Sequence, residues 1–482
     1  MSSAGEWEPV IGLEIHVQLQ TETKMFCSCR LEFGAAPNTH TCPVCLGHPG
    51  TLPVPNARAI DYAIRVGLAL GCEIAPRSVF HRKNYFYPDL PKGYQITQYD
   101  IPLASSGALG DVRIHRVHVE EDAAKLSHVS ESGRIHDSGA SLVDFNRGGT
   151  PLVEIVTEPD IRTGAQAREW LQLLRTTLRQ LGVSDVNMDE GSLRCDANIS
   201  VRRAGTDELG TKTELKNMNS FRFIERGIAA EIERQIAVVA AGGEVEQETL
   251  HFDPASGALT SLRSKEHAHD YRYLPEPDLV PLAPSTEQIE TARAALPEPP
   301  GARRERYLTE FGLSEENAAQ LAFDLELAAF FEQAQGLIEQ ADSQTLAGWV
   351  TGELVRESRE AGLEHPTVSA AGPAAIAELA DLVAAKTINR KTGRELLGRL
   401  VREGGEPAAI VDAEGLGVVS DGDGRLEAAV ERAIEADPDA AQKIRQGEIK
   451  AVGALVGAVM RETGGRADGG EVTRLIREKL SG

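Results

Sequence analysis

Seven prolines between Pro275 and Pro300 (Pro275, Pro277, Pro281, Pro284, Pro297, Pro299 and Pro300) separate two differently patterned stretches of the chain. Proline fixes φ and lacks a backbone N–H, so neither a helix interior nor a central strand runs through such a segment, and it reads as a linker. Ahead of it the pattern has period two. Ile11, Leu13, Ile15, Val17 and Leu19 share one strand face, and Glu14, His16 and Gln18 share the other. Val112–Val119, Pro151–Thr157, Ala197–Arg202 and Lys212–Leu215 are further strand candidates. Two helices interrupt them. One spans 164–181, with Trp170, Leu174, Leu178 and Leu181 in a stripe and a stop at Gly182; the other spans 221–240, with Ile224, Ile228, Ile232 and Ile236. Beyond the prolines, 301–366 is helical in pattern. Ala370-Ala371-Gly372-Pro373 marks a second break, and Glu471–Leu480 is amphipathic. At 482 residues the chain exceeds one ordinary core, so two or three domains are expected.

The composition, 41% hydrophobic and 26% charged, is that of a soluble globular protein. No apolar run approaches the roughly 18 residues of a membrane helix, and no membrane partner is expected. The first residues lack a basic-then-apolar leader, so the expected location is cytoplasmic. The net charge of −23 argues against a broadly RNA-binding surface. After Ser369, however, 16 Lys and Arg stand against 19 Asp and Glu, so the tail repels a phosphate backbone least.

Four of the six cysteines, Cys27, Cys29, Cys42 and Cys45, fall within nineteen residues. Two short pairs on two turns are the arrangement that gives tetrahedral zinc four thiolates, and Pro43 and Gly47 suit such a turn. With four protein ligands the site is closed and structural. The alternative is four reduced cysteines in a loop. Cys72 and Cys195 read as ordinary buried cysteines. Glu14 and His16 project from one strand face, the spacing that lets two ligands converge on one ion. His115–Asp122, with Glu120 and Glu121, adds a second cluster, and Glu154, Glu158 and Glu214 supply more carboxylates. Such a set suits Mg²⁺, although a Glu/His pair on a strand is equally the mark of a solvated sheet face.

Only 5% of the chain is aromatic, yet Tyr85, Phe86, Tyr87 and Tyr94 fall in ten residues beside His81, Arg82, Lys83, Asn84 and Lys92. Rings interleaved with cations suit a nucleotide or a single-stranded RNA end; a packed loop with a charged rim has the same composition. Asn146–Thr150 either brings Arg147 and backbone amides to a phosphate or is a plain turn. No P-loop and no Gly-x-Ser-x-Gly elbow is present.

Six segments in chain order resemble one family: Val10–Leu19, Arg82–Asp89, His118–Lys125, Asp144–Pro151, Gly191–Ser200 and Asp270–Pro277. Together they are similar to the B subunits of the aspartyl/glutamyl-tRNA(Asn/Gln) amidotransferases, in the branch that carries zinc. Gly453–Met460 resembles a helix of the family's tail. The resemblance implies an α+β fold: a cradle domain of antiparallel strands with flanking helices over 1–295, an all-helical domain over 296–405, and a YqeY-like helical tail over 406–482 that binds tRNA. It implies an ATP-dependent ligase that forms a C–N bond. Glu-tRNA(Gln) or Asp-tRNA(Asn) binds, ATP phosphorylates the side-chain carboxylate, and ammonia channelled from a glutaminase subunit displaces the phosphate.

The implied partners are the amidase A subunit, a small C subunit, the tRNA and a non-discriminating synthetase; the implied cofactors are ATP, Mg²⁺ and structural Zn²⁺. Carried over by position, Glu14, His16 and Glu121 match the magnesium and kinase site, and Lys83 matches a basic residue near the channel mouth. Arg82, Asn84, Tyr85, Tyr87, Arg147, Glu154 and Glu214 fall to substrate and ATP binding. Two competing readings are a non-catalytic zinc-bearing tRNA scaffold and a stand-alone metal hydrolase.

Overall fold

The alternating stripe at the N-terminus forms the centre of the largest sheet. In the computed structural model, which describes residues 6–129, 138–216, 218–263, 271–418, 424–446 and 448–481, the strand runs over Trp7–Gln18 (β1). Met1–Gly5, Asn217 and Asp270 lie outside the described residues. The strands that follow are β2 (Glu73–Ile74), β3 (Phe80–Asn84), β4 (Tyr94–Gln98), β5 (Ala104–Leu109), β6 (Val112–Glu121), β7 (Lys125–His128) and β8 (Ser141–Asp144). Then come β9 (Pro151–Thr157), β10 (Leu193–Arg203), β11 (Thr213–Lys216), β12 (Thr249–Phe252), β13 (Leu259–Arg263) and β14 (Leu274–Pro275).

Nine strands make one mixed sheet in the order β13-β12-β11-β10-β1-β9-β6-β5-β2. Its pairings are antiparallel except β11 with β12. β14, β3 and β4 form a second, three-stranded sheet, and β7 pairs with β8. The fold is thus α+β.

The order of strands in the sheet departs from their order in sequence, and this positions the site. β1 lies between β9 and β10, so residues far apart in sequence become neighbours on one face. On the other face Ile11, Leu13, Ile15 and Val17 are buried, together with Val117, Val119, Val153 and Ile155. Against this apolar face pack helices α1 (Ala57–Ala69) and α2 (Gly164–Gln180) and, further along, α3 (Phe221–Ala240). α2 starts where Thr163 accepts from the Gln166 N–H, and its buried residues include Trp170, Leu171, Leu174 and Leu178. Ser220 caps α3 in the same way. Replacing a fully enclosed side chain such as Ile15 by Ala costs about 2–5 kcal/mol.

α1 carries its own apolar stripe, with Ala63, Ile64, Gly67 and Leu68 buried at helical spacing. Asn56 caps it, accepting from the N–H groups of Arg58 and Ala59. The proline-rich stretch is not a free linker. Leu274–Pro275 pairs with Arg82 and His81 at a sheet edge, where proline's missing N–H is tolerated. Leu282 bridges Ser78, and α4 (Thr286–Ala294) opens with a capping box between Ser285 and Gln288. Leu279, Leu282, Ile289 and Ala292 pack into the first core.

The chain divides into two compact units, Met1–Pro299 and Pro300–Gly482. The second is helical and has two cores. One gathers Tyr307, Phe331, Trp349, Leu379, Leu397 and Val411; the other gathers Leu426, Val430, Leu455, Val459, Val472 and Ile476. Ala370–Pro373 lies inside the former: Ala371 is buried there, and Gly372-Pro373 starts a helix rather than a domain. Among the described residues no helix is long and apolar enough to cross a membrane.

Candidate active site and metal centre

On the polar face of the large sheet, strand register builds a row. His16 stands opposite Glu154 on β9 and Arg194 on β10, and Glu14 stands opposite Asp196. One strand further, Glu154 stands opposite His118 on β6. His16 Nε2 lies 3.3 Å from Glu154 Oε2, 3.6 Å from Glu120 Oε1 and 3.9 Å from Glu14 Oε1. His118 Nε2 lies 3.6 Å from Glu154 and 3.7 Å from Glu120. Arg116 reaches Glu154 at 3.4 Å, and Thr97 donates to Glu120 Oε2 at 3.1 Å. The row continues across β10 and β11, where Lys216 bridges Asp196 at 2.7 Å and Glu214 at 2.9 Å.

The charges support one another. Burial alone would lower the pKa of His16, but Glu154, Glu120 and Glu14 outweigh it and hold the ring up at about 9. Burial likewise opposes ionisation of Glu154 and Glu120, yet the two histidines hold both carboxyls below the ordinary range. Glu14 moves the other way: burial, then the neighbouring Glu154 charge, raise it. Burial disfavours the Lys83 cation, but Glu120, Tyr273 and Glu154 more than compensate, raising its pKa.

Two triads of ligand atoms, His16 with Glu120 and Glu154 and His16 with Glu14 and Asp196, each converge within 4.8 Å. Carboxylate oxygens with an imidazole are a donor set that fits a hard divalent cation.

The structure brings Glu14, His16 and Glu154 together as read from sequence, and takes Glu121 elsewhere. Along β6, Arg116, His118 and Glu120 share the site face, and Glu121 points to the opposite side. There its carboxylate pairs with Lys92 and accepts from Ile96 N. Glu120, His118 and Asp196 take part instead. The signal is present in the sequence: two-residue alternation, applied to His115–Asp122 as to Ile11–Leu19, selects Glu120.

The basic-aromatic segment divides similarly. Arg82 forms two 2.7 Å hydrogen bonds to Glu276 and lies over Tyr94, tying β3 to β14. Asn84 donates to Arg272 O at 2.7 Å. Tyr85 meets Tyr271 edge-on, and Tyr87 is exposed. Lys83 Nζ lies 4.8 Å above the Tyr271 ring. Arg147 donates to Ala123 O and Ala124 O. Beside it Asp122 receives Arg194 at 2.8 Å and Gln18 at 2.9 Å. Glu214 accepts from Thr249 at 3.1 Å.

The four cysteines also converge, with all sulfurs within 4.8 Å of one another. Tetrahedral zinc with bonds of about 2.3 Å needs sulfurs about 3.8 Å apart, so this donor set fits it. A backbone turn builds the second pair: Leu46 N donates to Cys42 O, and Cys42 N donates to Cys45 Sγ at 3.2 Å. Gly47 closes the turn at φ 69°, where a Cβ would meet Lys92. Lys24, fully buried, lies 3.7 Å from Cys45 Sγ and donates to Phe145 O at 2.9 Å. A hydrogen bond from Cys27 leads in lowering the Cys45 thiol to about 4, against burial and with help from Cys42 N–H and Lys24. Cys72 and Cys195 are buried elsewhere.

The geometry thus defines a class of protein: one whose first unit carries two kinds of candidate ligand group, carboxylates with histidine and four cysteines. Likeness to known proteins narrows it. Residues 9–290 match the family described as GatB/GatE catalytic domain, and 329–480 match the one described as GatB domain. The chain is 49% identical over 485 residues to the B subunit of the aspartyl/glutamyl-tRNA(Asn/Gln) amidotransferase of Anaeromyxobacter dehalogenans, covering 98% of this chain and 99% of that one. It is 47% identical to the protein of the same name from Persephonella marina, covering 98% and 100%, and 47% identical to that from Carboxydothermus hydrogenoformans, covering 99% of each. The chain belongs to the family of aspartyl/glutamyl-tRNA(Asn/Gln) amidotransferase B subunits.

Proposed function

We propose that this chain holds a misacylated tRNA, activates its aminoacyl side-chain carboxylate with ATP and presents it to ammonia. The observation that carries this reading is His16 flanked by Glu14, Glu120 and Glu154 on the polar face of the sheet. A carboxylate reacts poorly with ammonia because oxide is a bad leaving group. Attack by the side-chain carboxylate oxygen on the γ-phosphorus of ATP releases ADP and leaves an acyl phosphate. Ammonia then adds to the acyl carbon, phosphate departs, and a proton is lost to give the amide.

Phosphoryl transfer depends on positioning and charge neutralisation. His16, Glu120 and Glu154, with Glu14 and Asp196 beside them, would hold Mg²⁺, which when bound neutralises phosphate charge. Lys83 and Arg116 bring fixed positive charge to the same face. The protein's own tasks are to orient the carboxylate and to keep bulk water from the acyl phosphate.

Cys27, Cys29, Cys42 and Cys45 would hold zinc as a structural centre. The proposed division is a cradle over 1–295, a helical domain over 296–405 and a YqeY-like tail over 406–482 that contacts the tRNA body. The A and C subunits supply glutaminase chemistry and assembly, in the cytoplasm. Family membership favours this over a non-catalytic scaffold.

The test is reconstitution with A and C subunits, glutamine, ATP, Mg²⁺ and Glu-tRNA(Gln) or Asp-tRNA(Asn), scored for amidated tRNA. Product that requires this chain is expected. No product with either tRNA from assembled, folded subunits would overturn the reading.

A further inference from the structure

Two aromatic residues outside the 85–94 segment form a pair of their own. Tyr99, one residue past β4, and Tyr273, one residue before β14, stack face to face with centroids 4.1 Å apart and planes 7° from parallel. Tyr273 meets Tyr271 edge-on at 6.1 Å, and His81 meets Tyr99 edge-on at 6.2 Å. His81 Nε2 is fixed 3.1 Å from Asp100, the residue next to Tyr99. The pair is therefore held from several sides, yet Tyr99 remains 57% exposed in a chain otherwise poor in aromatics.

Register explains why this ledge adjoins the site. His81 stands opposite Thr97, and Lys83 opposite Gln95. By alternation Thr97 and Tyr99 lie on one side of β4, and the Thr97 hydroxyl donates to Glu120, a member of the cluster. Lys83 lies over Tyr271, close enough to Glu120, Glu154 and Tyr273 to feel all three. A flat aromatic ledge, a cation and carboxylates that could hold a metal thus adjoin one another. A nucleotide brings a base, a phosphate and a metal-bound phosphate to such a set.

We propose that the Tyr99–Tyr273 pair is a stacking platform for an adenine base, with Lys83 beside the phosphate attached to it. This rests on the proposed function. ATP and the 3′ end of a tRNA both carry adenine, and the chemistry of the ledge suits either. Base–aromatic stacking at such a platform is worth about ten- to hundred-fold in affinity.

The experiment uses the complex assembled with its A and C subunits. Two probes carry 2-aminopurine, whose fluorescence stacking quenches: the ribonucleoside triphosphate, and a tRNA with its terminal adenine replaced. Wild-type complex should quench one of them. Tyr99→Ala should relieve the quenching and weaken that ligand about ten- to hundred-fold, whereas Tyr99→Phe should keep both. Tyr273→Ala should follow Tyr99→Ala. Loss confined to the triphosphate assigns the platform to ATP; loss confined to the tRNA assigns it to the 3′ end. Unchanged affinity for both in Tyr99→Ala overturns the platform, as does weakened subunit assembly in its place, which would make the ledge a protein contact. If wild-type complex forms amidated tRNA while Tyr99→Ala binds both ligands normally, only the platform falls. If wild-type complex forms no product, the functional reading falls, and the quenching still tests the platform.

Discussion

The two ligand clusters of the first unit are built on opposite plans. The cysteines sit on short turns, are soft donors, and count four, which closes a tetrahedral shell. The His16 cluster sits on strands β1, β6, β9 and β10, uses hard donors, and keeps His16 partly open, its side chain 20% exposed. A turn can close around an ion and so gain stability from it. On the sheet the side chains stand in register, with Glu120, Glu154 and His118 buried and His16 and Glu14 reaching the surface. The proposed roles, stability for the first cluster and chemistry for the second, can each be broken separately.

The largest effect is expected at Glu154, which faces both histidines. Glu154→Gln keeps shape and removes charge. Amidation by the assembled complex, per folded molecule, should fall about a hundred- to thousand-fold while tRNA retention changes little; the melting midpoint should also drop by several degrees, because His16 and His118 lose a buried counter-charge. Normal turnover would remove the cluster from the chemistry.

Next comes the ion pair that anchors the edge of the cluster. Arg194→Met leaves Asp122 buried with Gln18 and a more distant Arg147. Allowing for the partial exposure of Arg194, the cost is about 2 kcal/mol at neutral pH by denaturant unfolding. The pH dependence has a defined sign. Burial would raise the Asp122 carboxyl, but Arg194, Arg147 and Gln18 hold it below its ordinary value. Its contribution is therefore complete above the unfolded pKa of about 3.9 and drains away as pH falls through the lower folded value. The variant's folded value moves up, so the gap between the two proteins should be full at neutral pH and should close in acid. A gap independent of pH would show that packing, not charge, is lost.

How much of this is legible in the sequence depends on whether the deciding contact is local. The β1 stripe, α2, α3 and the cysteine pairs are written in spacings of a few residues, and all are found as elements or as a cluster. The distinction between Glu120 and Glu121 is also local, since alternation along β6 settles which shares a face with His118. What no local pattern carries is the strand order. β1 pairs with β9 and β10, so the closeness of His16 to Glu154 and of Glu14 to Asp196 arises only on folding. The Tyr99–Tyr273 ledge has the same origin. The prolines mislead for a related reason: they exclude a central strand, but an edge pairing such as that of Leu274–Pro275 needs no N–H from proline.

Cys42→Ser tests the other plan. Loss of one thiolate should release the metal and lower the melting midpoint by about 5 °C or more, and a chelator should do the same to wild type and nothing further to the variant. Turnover per folded molecule should fall far less than in Glu154→Gln. A midpoint indifferent to both changes would mean that the cysteine loops hold themselves.

The smallest effect sharpens the comparison most. Four thiolates around a divalent zinc would carry a net charge of −2, at cysteines that are only half-buried. Lys24 is the buried cation at that shell, its amine 3.7 Å from Cys45 Sγ and its stem against Gly149, where φ is 87° and a Cβ would come within 3.3 Å. The same amine donates to Phe145 O, while Gly149 N donates to Asp122 O. Lys24 therefore joins the thiolate shell to the loop beside the carboxylate row. Lys24→Met preserves most of the stem and removes the charge. Zinc affinity, measured by competition with a chromophoric chelator, should fall about ten-fold, the scale of a lost outer-shell partner. If zinc affinity holds while Arg194–Asp122 loosens, seen as a smaller stability gap between Arg194→Met and its parent in the Lys24→Met background, the lysine serves the loop and not the metal. A drop in both would make the closed cluster a brace for the open one.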